Sequence, residues 1–445
     1  MSFKYSVIIP TLNEEFFIEK NLRFLNSLNR NLEIIVSDGG SVDNTTVVAK
    51  GFNARVINSD PGRGIQLNNG AKAARGDIFL FLHADTLLTE NAFDLLDEYF
   101  TNQENNICRF LLGFDFNHRL LDLYSSFSKY DTPFTRFGDS AIIIRNNFFT
   151  KLNGFHNRDI FEDVDFFSRS VKYGRINILN ATVNSSARRL IRDGIIKRQL
   201  FNTLLFIGYI LNVNQQTLSK LYNNTFNKSE TNSIIIFLRF PKIGEVKTRL
   251  AKTTSSEFAL TFYKSCAENL IKNVKQIPRV KRFAFYSNKN EKGEINKWLG
   301  NKLFFAPQEG DDLGSRMINA FEKVFSTGAQ KVIIVGTDIP DLSKDIILDA
   351  FNSLNSNDVV IGPSKDGGYY LLGMTKMCPE LFDEIEYSTS TVLSQTLARV
   401  NKLNLSYQLL PKLVDIDTKE DLVEWLSNDT ENPIKKEIKL SYNTI

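Results

Sequence analysis

The chain has 445 residues and only three cysteines, Cys108, Cys266 and Cys378. They are scattered and form no C-x-x-C pair, which excludes a disulfide framework and a cysteine zinc site and points to a reducing, cytoplasmic setting. Neither charge sign is in excess. Lys and Arg number 54 against 51 Asp and Glu, a net charge of +3, and no basic run alternates with aromatics. Nucleic acid is therefore excluded as the main partner, whereas a small anionic ligand is not. Long apolar runs are missing too. The most apolar segment, "LFNTLLFIGYILNV" from Leu200 to Val213, is too short and interrupted for a transmembrane span. It is expected as a helix packed on a domain or between domains. The alternative is a helix lying in a membrane interface with weak peripheral contact, for which Lys197, Arg198 and Lys220 are the basic anchors. The opening "MSFKYSVIIPTLNEE" has no charged start, apolar core and small-residue cleavage site, so export is not expected.

What is present is a grammar of alternation. From Tyr5, short β-rich apolar runs ("YSVIIPT", "LEIIVSDGG", "ARVINSD") alternate with amphipathic stretches of helix length, the pattern of βαβ units around a mostly parallel sheet. The polar, aperiodic "NNTFNKSETN" interrupts it, and "SIIIFLRFP" restarts it. The length also exceeds what one core serves. These features predict an α/β domain over 1–222, a linker over 223–232 and a second domain over 233–445.

Two buried-looking strands end on acids. "DIFLFLHADT" stops at His83-Ala84-Asp85, and "KVIIVGTD" stops at Asp338. Strands apolar on both faces sit inside parallel sheets, and ligands bind beyond their carboxyl ends. A carboxylate there suits a divalent metal that bridges to phosphate, which makes Asp85 the candidate metal ligand. Asp38, in "SDGGSVDNT", stands at another strand end and is suited to a base or ribose. Ser41 and Asp43 are expected to cap the next helix. Arg63, Gln66 and Asn68, expected just before a helix, suit a phosphate or a base edge. Glu162, Asp163 and Asp165 read either as a site or as a solvated helix start, and Arg188 and Arg189 either as a clamp or as a surface face. His118 and His156 are expected to be structural or superficial.

In order, "SVIIPTLNEE", "SDGGSVDNT", "GRGIQLNNGA", "LFLHADT", "GDSAIIIR" and "FEDVDFFSR" resemble family 2 glycosyltransferases with a GT-A fold. More narrowly, the HADT box, the G-R-x-x-Q-x-N run and "NSSARRLIRDG" resemble the subgroup named for radical-SAM and selenoprotein-domain clusters, also labelled arsenosugar biosynthesis glycosyltransferases. The resemblance covers about residues 4–222. It implies an inverting, metal-assisted transfer from a nucleotide-sugar donor to a small-molecule or lipid-linked acceptor. Asp163 would be the base with Glu162 as its neighbour, and Pro10, Thr11, Asn13, Glu14, Asp38, Arg63, Gln66, Asn68, His83, Arg188 and Arg189 would contact the donor. Family 2 enzymes usually carry D-x-D where this chain has His83-Ala84-Asp85. An imidazole suits Mn²⁺ better than Mg²⁺, so His83 is either a metal ligand beside Asp85 or a hydrogen-bond partner of the diphosphate.

In the second half, "RFPKIGEVKTRLA" gathers Arg239, Lys247 and Arg249 around Gly244, a pattern suited to cradling phosphate. "QEGDDLGSRM" adds Asp312 and Arg316, "VGTDIPDL" Asp338, "GPSKDGGYYLLGM" Asp366, and "DIDTKEDL" Asp415 and Asp417. Asp338 with one later acid can hold a metal. "DIDTKEDL" is equally a helix start, with Asp417 or Thr418 as cap and Glu420 completing a capping box. These pieces resemble the companion GT-A-like transferase subgroup of the same clusters, and are similar to guanylyltransferases that activate small phosphorylated acids. The expected whole is thus α/β, with two tandem GT-A-like (nucleotide-diphospho-sugar transferase) domains and Mn²⁺ or Mg²⁺ as cofactor. The alternatives are a nucleotidyltransferase second domain supplying an activated substrate, or one domain acting only as a nucleotide-sugar binding module.

Overall fold

The structure, a computed structural model, describes residues 3–225, 232–300, 302–428 and 432–443. The chain divides into two compact units, Met1–Asn227 and Lys228–Ile445. The helix Gln215–Asn224 and a strand starting at Asn232 reach into both ends of the segment expected as linker, and residues 226–231 of that segment lie outside the described residues.

The first unit has eight strands: β1 (Tyr5–Thr11), β2 (Leu32–Asp38), β3 (Arg55–Asn58), β4 (Ile78–Phe81), β5 (Thr86–Leu87), β6 (Ile107–Phe114), β7 (Ile142–Arg145) and β8 (Asn177–Ser185). They form one sheet in the order β3-β2-β1-β4-β7-β6-β8-β5. β1 to β4 run parallel, and β7 is antiparallel to both β4 and β6. Both faces are covered. Side chains alternate along a strand, so Val7, Ile9, Leu80 and Leu82 join one apolar layer, while Ile8, Phe79 and Phe81 join the other with Phe149, Phe155 and Phe166. The alternation continues past β4: Ala84 is buried in the first layer, which turns the neighbouring His83 to the Phe81 side.

The second unit repeats the plan with β9 (Asn232–Leu238), β10 (Val280–Tyr286), β11 (Phe304–Pro307), β12 (Lys331–Val335), β13 (Val359–Pro363), β14 (Tyr369–Met374) and β15 (Tyr407–Leu409). The order is β11-β10-β9-β12-β14-β13-β15. Again four parallel strands are followed by an antiparallel one, β14, beside the fourth.

The helix Arg63–Ala73 lies against β1 at Gly70, where a Cβ would stand 2.3 Å from Ile8 Cγ2. Nothing lies within 4 Å of the corresponding position at Gly51. Gly70→Ala is therefore expected to destabilise the first unit by about 1–3 kcal/mol through overpacking, whereas Gly51→Ala leaves stability unchanged or slightly raised. Thermal melts of the two variants beside the parent chain check this.

Candidate active sites

The parallel register places Thr11 of β1 beside Asp38 of β2. Asp38 accepts from Thr11 Oγ1 (3.0 Å), from Ser41 Oγ (2.5 Å), and from the backbone N–H groups of Gly40 (3.0 Å) and Ser41 (2.8 Å). Burial pushes its pKa up, but these bonds, Ser41's first, outweigh burial and hold the carboxyl below its usual range. The loop therefore uses most of this carboxylate's accepting capacity. Ser41 also accepts from the Asn13 N–H, and Asn13 Oδ1 accepts from Val42 N–H, so Asn13 ties the two loops together.

Three expectations are corrected here. Ser41 does not cap the helix Thr45–Gly51; it is spent on Asp38, and Asp43 alone bonds that helix's first turn, at Thr45 N–H (3.0 Å). Arg63, Gln66 and Asn68 stand on the helix Arg63–Ala73, not before it. Gln66 is buried and donates to the carbonyls of Thr11 (2.7 Å) and Ser37 (2.9 Å). Asn68 clamps Phe155 from both sides, donating to its carbonyl (2.7 Å) and accepting from its N–H (2.9 Å). Both amides serve the scaffold, because buried backbone polar groups, here two strand ends and an irregular segment, need partners.

The HADT turn is shaped from outside. Asn21, fully buried on the helix Glu15–Ser27, donates its amide to the carbonyls of His83 (3.1 Å) and Thr86 (3.0 Å). Asp85 lies 3.1 Å from Arg188 Nη2, and the same nitrogen is 2.6 Å and 2.9 Å from the two carboxylate oxygens of Glu14. Arg188 also stacks on the Phe17 ring at 4.3 Å. It is thus an internal clamp between two carboxylates and no surface face. Arg189 is exposed and donates to Tyr222 Oη (3.0 Å).

Glu162, Asp163 and Asp165 open the helix Glu162–Ser170, and all three are buried, so they are not a solvated helix start. Asp165 is held by Arg158, Arg169 and His156. Glu162 pairs with Arg63 Nη1 at 3.1 Å. Among the described residues Asp163 has no cation in contact: Oδ2 accepts from Gly138 N–H (2.6 Å) and Oδ1 from Val164 N–H (2.7 Å). Burial first, and the Glu162 charge second, push Asp163 up to about 6. A small cavity lined by Arg63, Phe81, His83, Gly138, Glu162 and Asp163 opens here.

His83 donates toward Asp139, with Nδ1 3.2 Å from Oδ1. Withdrawal from water raises the Asp139 pKa, but the bond to His83 and the charges of Arg63 and Arg189 prevail and hold it at about 2. A Cβ built on Gly138 would lie 3.2 Å from Asp163 Oδ2 and 3.4 Å from His83 Nε2, so the imidazole and the carboxylate face each other across a bare glycine. Gly138 and Asp139 belong to the "GDS" box, for which the sequence suggested no role. The backbone is strained on both sides of it: Ala141 has φ +59° and Phe161 φ +62°, conformations that non-glycine residues adopt at a cost and that concentrate at functional sites. His118 caps the helix Arg119–Ser126.

In the second unit, Lys247 sits at φ +45° just ahead of the helix Thr248–Thr253, with its side chain only 3 % exposed. Its ammonium is 2.8 Å from Asp415 Oδ1, 2.8 Å from Asp417 Oδ1 and 3.5 Å from Asp338 Oδ2. The buried Asp338 Oδ1 finds no hydrogen-bond donor among the described residues. Burial drives Asp415 up to about 7 against the pull of Lys247, aided by Asp338 and Asp417. Arg249 is 74 % exposed and 3.6 Å from Asp417. The other candidates have local partners. Asp312 caps the helix Leu313–Phe325, Arg316 donates to the Gly310 carbonyl (2.9 Å), and Asp366 accepts from Ser364 and from Gly368 N–H. Thr418 caps the helix Lys419–Ser427, and Asp421 rather than Glu420 completes the box, which frees Asp417 for Lys247.

Residues 6–157 match the model of glycosyl transferase family 2, and residues 270–389 match a model described as an uncharacterized protein conserved in bacteria, DUF2064. The chain is 27 % identical over 210 residues to a 2-phospho-L-lactate guanylyltransferase from Methanocaldococcus vulcanius, covering 46 % of this chain and 90 % of the relative. It is 36 % identical over 93 residues to the glucosyl-3-phosphoglycerate synthase of Mycobacterium tuberculosis, spanning 18 % of this chain and 29 % of that enzyme. A putative nucleotide-diphospho-sugar transferase structure from Desulfovibrio desulfuricans G20 is similar, with 28 % identity and a TM-score of 0.47, covering 48 % of this chain and 96 % of that one. A structure of the M. tuberculosis synthase contains Mn²⁺, UDP and glucosyl-3-phosphoglycerate, at 23 % identity and a TM-score of 0.35, covering 46 % of this chain and 79 % of that one.

The two sheets, with the family 2 match over the first, define an α/β protein built as two tandem GT-A-like units. More particularly, the first unit is matched by the glycosyl transferase family 2 model over residues 6–157, and the second by the DUF2064 model over residues 270–389.

Two outcomes follow from the charge arrangement. Asp163 binds its proton more tightly folded than unfolded, so its burial costs stability once pH rises from its ordinary value, 3.8, through about 6. Asp163→Asn is expected to raise the melting temperature at pH 8, by the equivalent of about 2–3 kcal/mol, and to change it little at pH 4. Lys247→Met leaves three carboxylates without their ammonium, so it is expected to lower the second unit's stability more at pH 8 than at pH 5, where Asp415 is protonated. Calorimetric melts at the two pH values measure both effects.

Proposed function

We propose that the first unit transfers a glycosyl group from a nucleotide sugar to an acceptor hydroxyl, with inversion at the anomeric carbon and with Asp163 as the base. The observation that carries this reading is Asp163 itself: a buried carboxylate on the cavity wall, held by backbone N–H groups and poised at about 6. Such a group is ionised at neutral pH yet basic enough to take a proton as the hydroxyl attacks. Glu162 is occupied by Arg63 and acts on Asp163 through its charge. His83, oriented by Asp139, presents Nε2 on the same side and is suited to hydrogen-bonding the donor's diphosphate or the acceptor.

Asp85 is a hard carboxylate suited to a divalent cation, but it and Glu14 converge on the Arg188 guanidinium. Neither unit has, among the described residues, a group of three His, Cys, Asp or Glu arranged to hold a metal, so a cation at this point would have to displace Arg188. Asp85 would hold it. Such an ion supplies charge neutralisation for a departing diphosphate. In the second unit the same absence holds among the described residues, and Lys247 stands where the carboxylates converge. These residues, as arranged, do not fit a metal, and no step is assigned to one there.

The narrower placement, with the radical-SAM and selenodomain-associated subgroup, is supported by the HADT, G-R-x-x-Q-x-N and NSSARRLIRDG boxes. For the second unit we favour a nucleotidyl transfer that activates a substrate for the first, supported by the guanylyltransferase relative. The relatives' names share one chemistry, a small phosphorylated acid, and Arg63 and Arg189, whose charges both act on Asp139 beside the cavity, suit such an acceptor.

The full chain, given UDP- or GDP-sugars with Mn²⁺ and a panel including 3-phosphoglycerate and 2-phospholactate, is expected to release nucleoside diphosphate and a product of inverted configuration. Asp163→Asn should cut turnover by about 10²–10⁴-fold with donor binding retained, and Asp85→Asn should abolish the metal dependence of nucleotide binding. Pyrophosphate release from a nucleoside triphosphate, with no nucleoside diphosphate formed from any sugar donor, would overturn the glycosyl-transfer reading.

A further inference from the structure

The helix Ile195–Ile210 turns the wrong face inward. Only Ile195, Arg198, Leu205 and Phe206 are buried. At about 100° per residue, Ile196, Leu200, Leu204, Ile207, Ile210 and Leu211 share one side of the cylinder, and all six are exposed, by 44 % to 71 %. Thr203 is the one polar residue among them. An amphipathic helix of a folded domain ordinarily buries such a stripe. The buried side is anchored independently of it: the Phe206 ring packs on Phe134 (5.1 Å), Phe137 (6.1 Å) and Phe161 (6.0 Å).

The stripe's own stretch of chain carries charge of one sign. Residues 194–225 contain no Asp or Glu. Lys197, exposed, borders the stripe, and Lys220 is exposed on the following helix. Arg198 is turned inward onto Asp193 (3.1 Å). Lys129 and Tyr130, both exposed, pair ammonium over ring at 5.1 Å, near the exposed Phe134. Asp122 is the one acid of the adjoining helix Arg119–Ser126.

We propose that this face seats the first unit on an anionic lipid bilayer, with the helix lying in the headgroup layer. A protein partner would call for a rim of mixed polar groups to fix its register, whereas this stripe is aliphatic with one hydroxyl. Lysines at the border of an apolar helix face complement anionic headgroups. No helix among the described residues is long and apolar enough to cross a membrane, so the contact is one of lying on, not spanning. The inner side of the same helix carries Phe206 and Tyr209 against Phe161, the residue that precedes Glu162 and Asp163. Seating would therefore bring the first unit's cavity to the bilayer surface, where an acceptor carrying a lipid tail is presented. The docking itself does not depend on the reaction proposed above.

The test is sedimentation of the full chain with vesicles of phosphatidylcholine alone and of phosphatidylcholine with phosphatidylglycerol. The parent chain is expected to pellet with the anionic vesicles, less so as salt is raised, and weakly with the neutral ones. Leu200→Glu with Leu204→Glu should weaken anionic-vesicle binding by about tenfold or more, the loss of roughly 1.4 kcal/mol, with the melting temperature unchanged because both side chains are exposed. Should that pair disturb folding, Leu200→Gln alone gives the same readout, and Lys197→Glu should weaken binding to the anionic vesicles only. The absence of pelleting with either vesicle type overturns the proposal. So does a dimer, seen by light scattering, that the Leu200/Leu204 substitutions dissociate while vesicle binding is absent, since the stripe would then serve a second copy of the chain.

Discussion

Carboxylates that a parallel sheet delivers to one edge repel one another unless a cation stands among them, and this constraint organises both units. Arg188 lies between Glu14 and Asp85, Arg63 acts on Glu162, Asp163 and Asp139, and Lys247 lies within Asp338, Asp415 and Asp417. Each cation comes from an element distant in sequence from the acids it serves; the Glu14–Arg188 pair spans 174 positions. Folding must therefore bring several elements together before the acids can be buried ionised, because an unpaired buried charge is costly.

The same convergence explains where the backbone departs from its easy conformations. Phe161, Ala141 and Lys247, all at positive φ, stand beside the acid clusters. A relaxed turn at Phe161 would start its helix at a different angle and move Glu162 from Arg63 and Asp163 from the Gly138 N–H. Local strain is tolerated there because rings from other elements, Phe206 and Tyr209 among them, pack against Phe161.

Much of the fold was legible in the sequence because the alternation along β1 and β4 is a local property that period-two burial reads directly. The acids at strand ends were legible for the same reason. Pairings across the chain were not. Nothing local distinguishes Asn68, which clamps Phe155, from a residue facing a ligand, or shows that His83 will meet Asp139. Capping was half legible: a polar residue ahead of a helix was visible at 417–418, but Asp421 completes the box, and Asp417 is drawn off by Lys247. For the helix Ile195–Ile210 the period reveals that a face exists. Which way the face points depends on whether Phe206 finds its ring partners, a tertiary matter.

One cation against three acids leaves an excess of negative charge, and the excess has to appear somewhere. In the first unit Arg63 is in contact with Glu162, and His83 is in contact with Asp139, so the burden falls on Asp163, which among the described residues has only backbone donors and is pushed up to about 6. In the second unit Lys247 is shared, and Asp415, the least exposed of the three by side chain, is pushed up to about 7. Each unit thus has one carboxyl held near neutrality, chiefly by burial: in the first the acid left to backbone donors, in the second the least exposed of the three acids that share Lys247. In the first unit that carboxyl is Asp163, buried against the Glu162 charge and bonded to the backbone N–H groups of Gly138 and Val164.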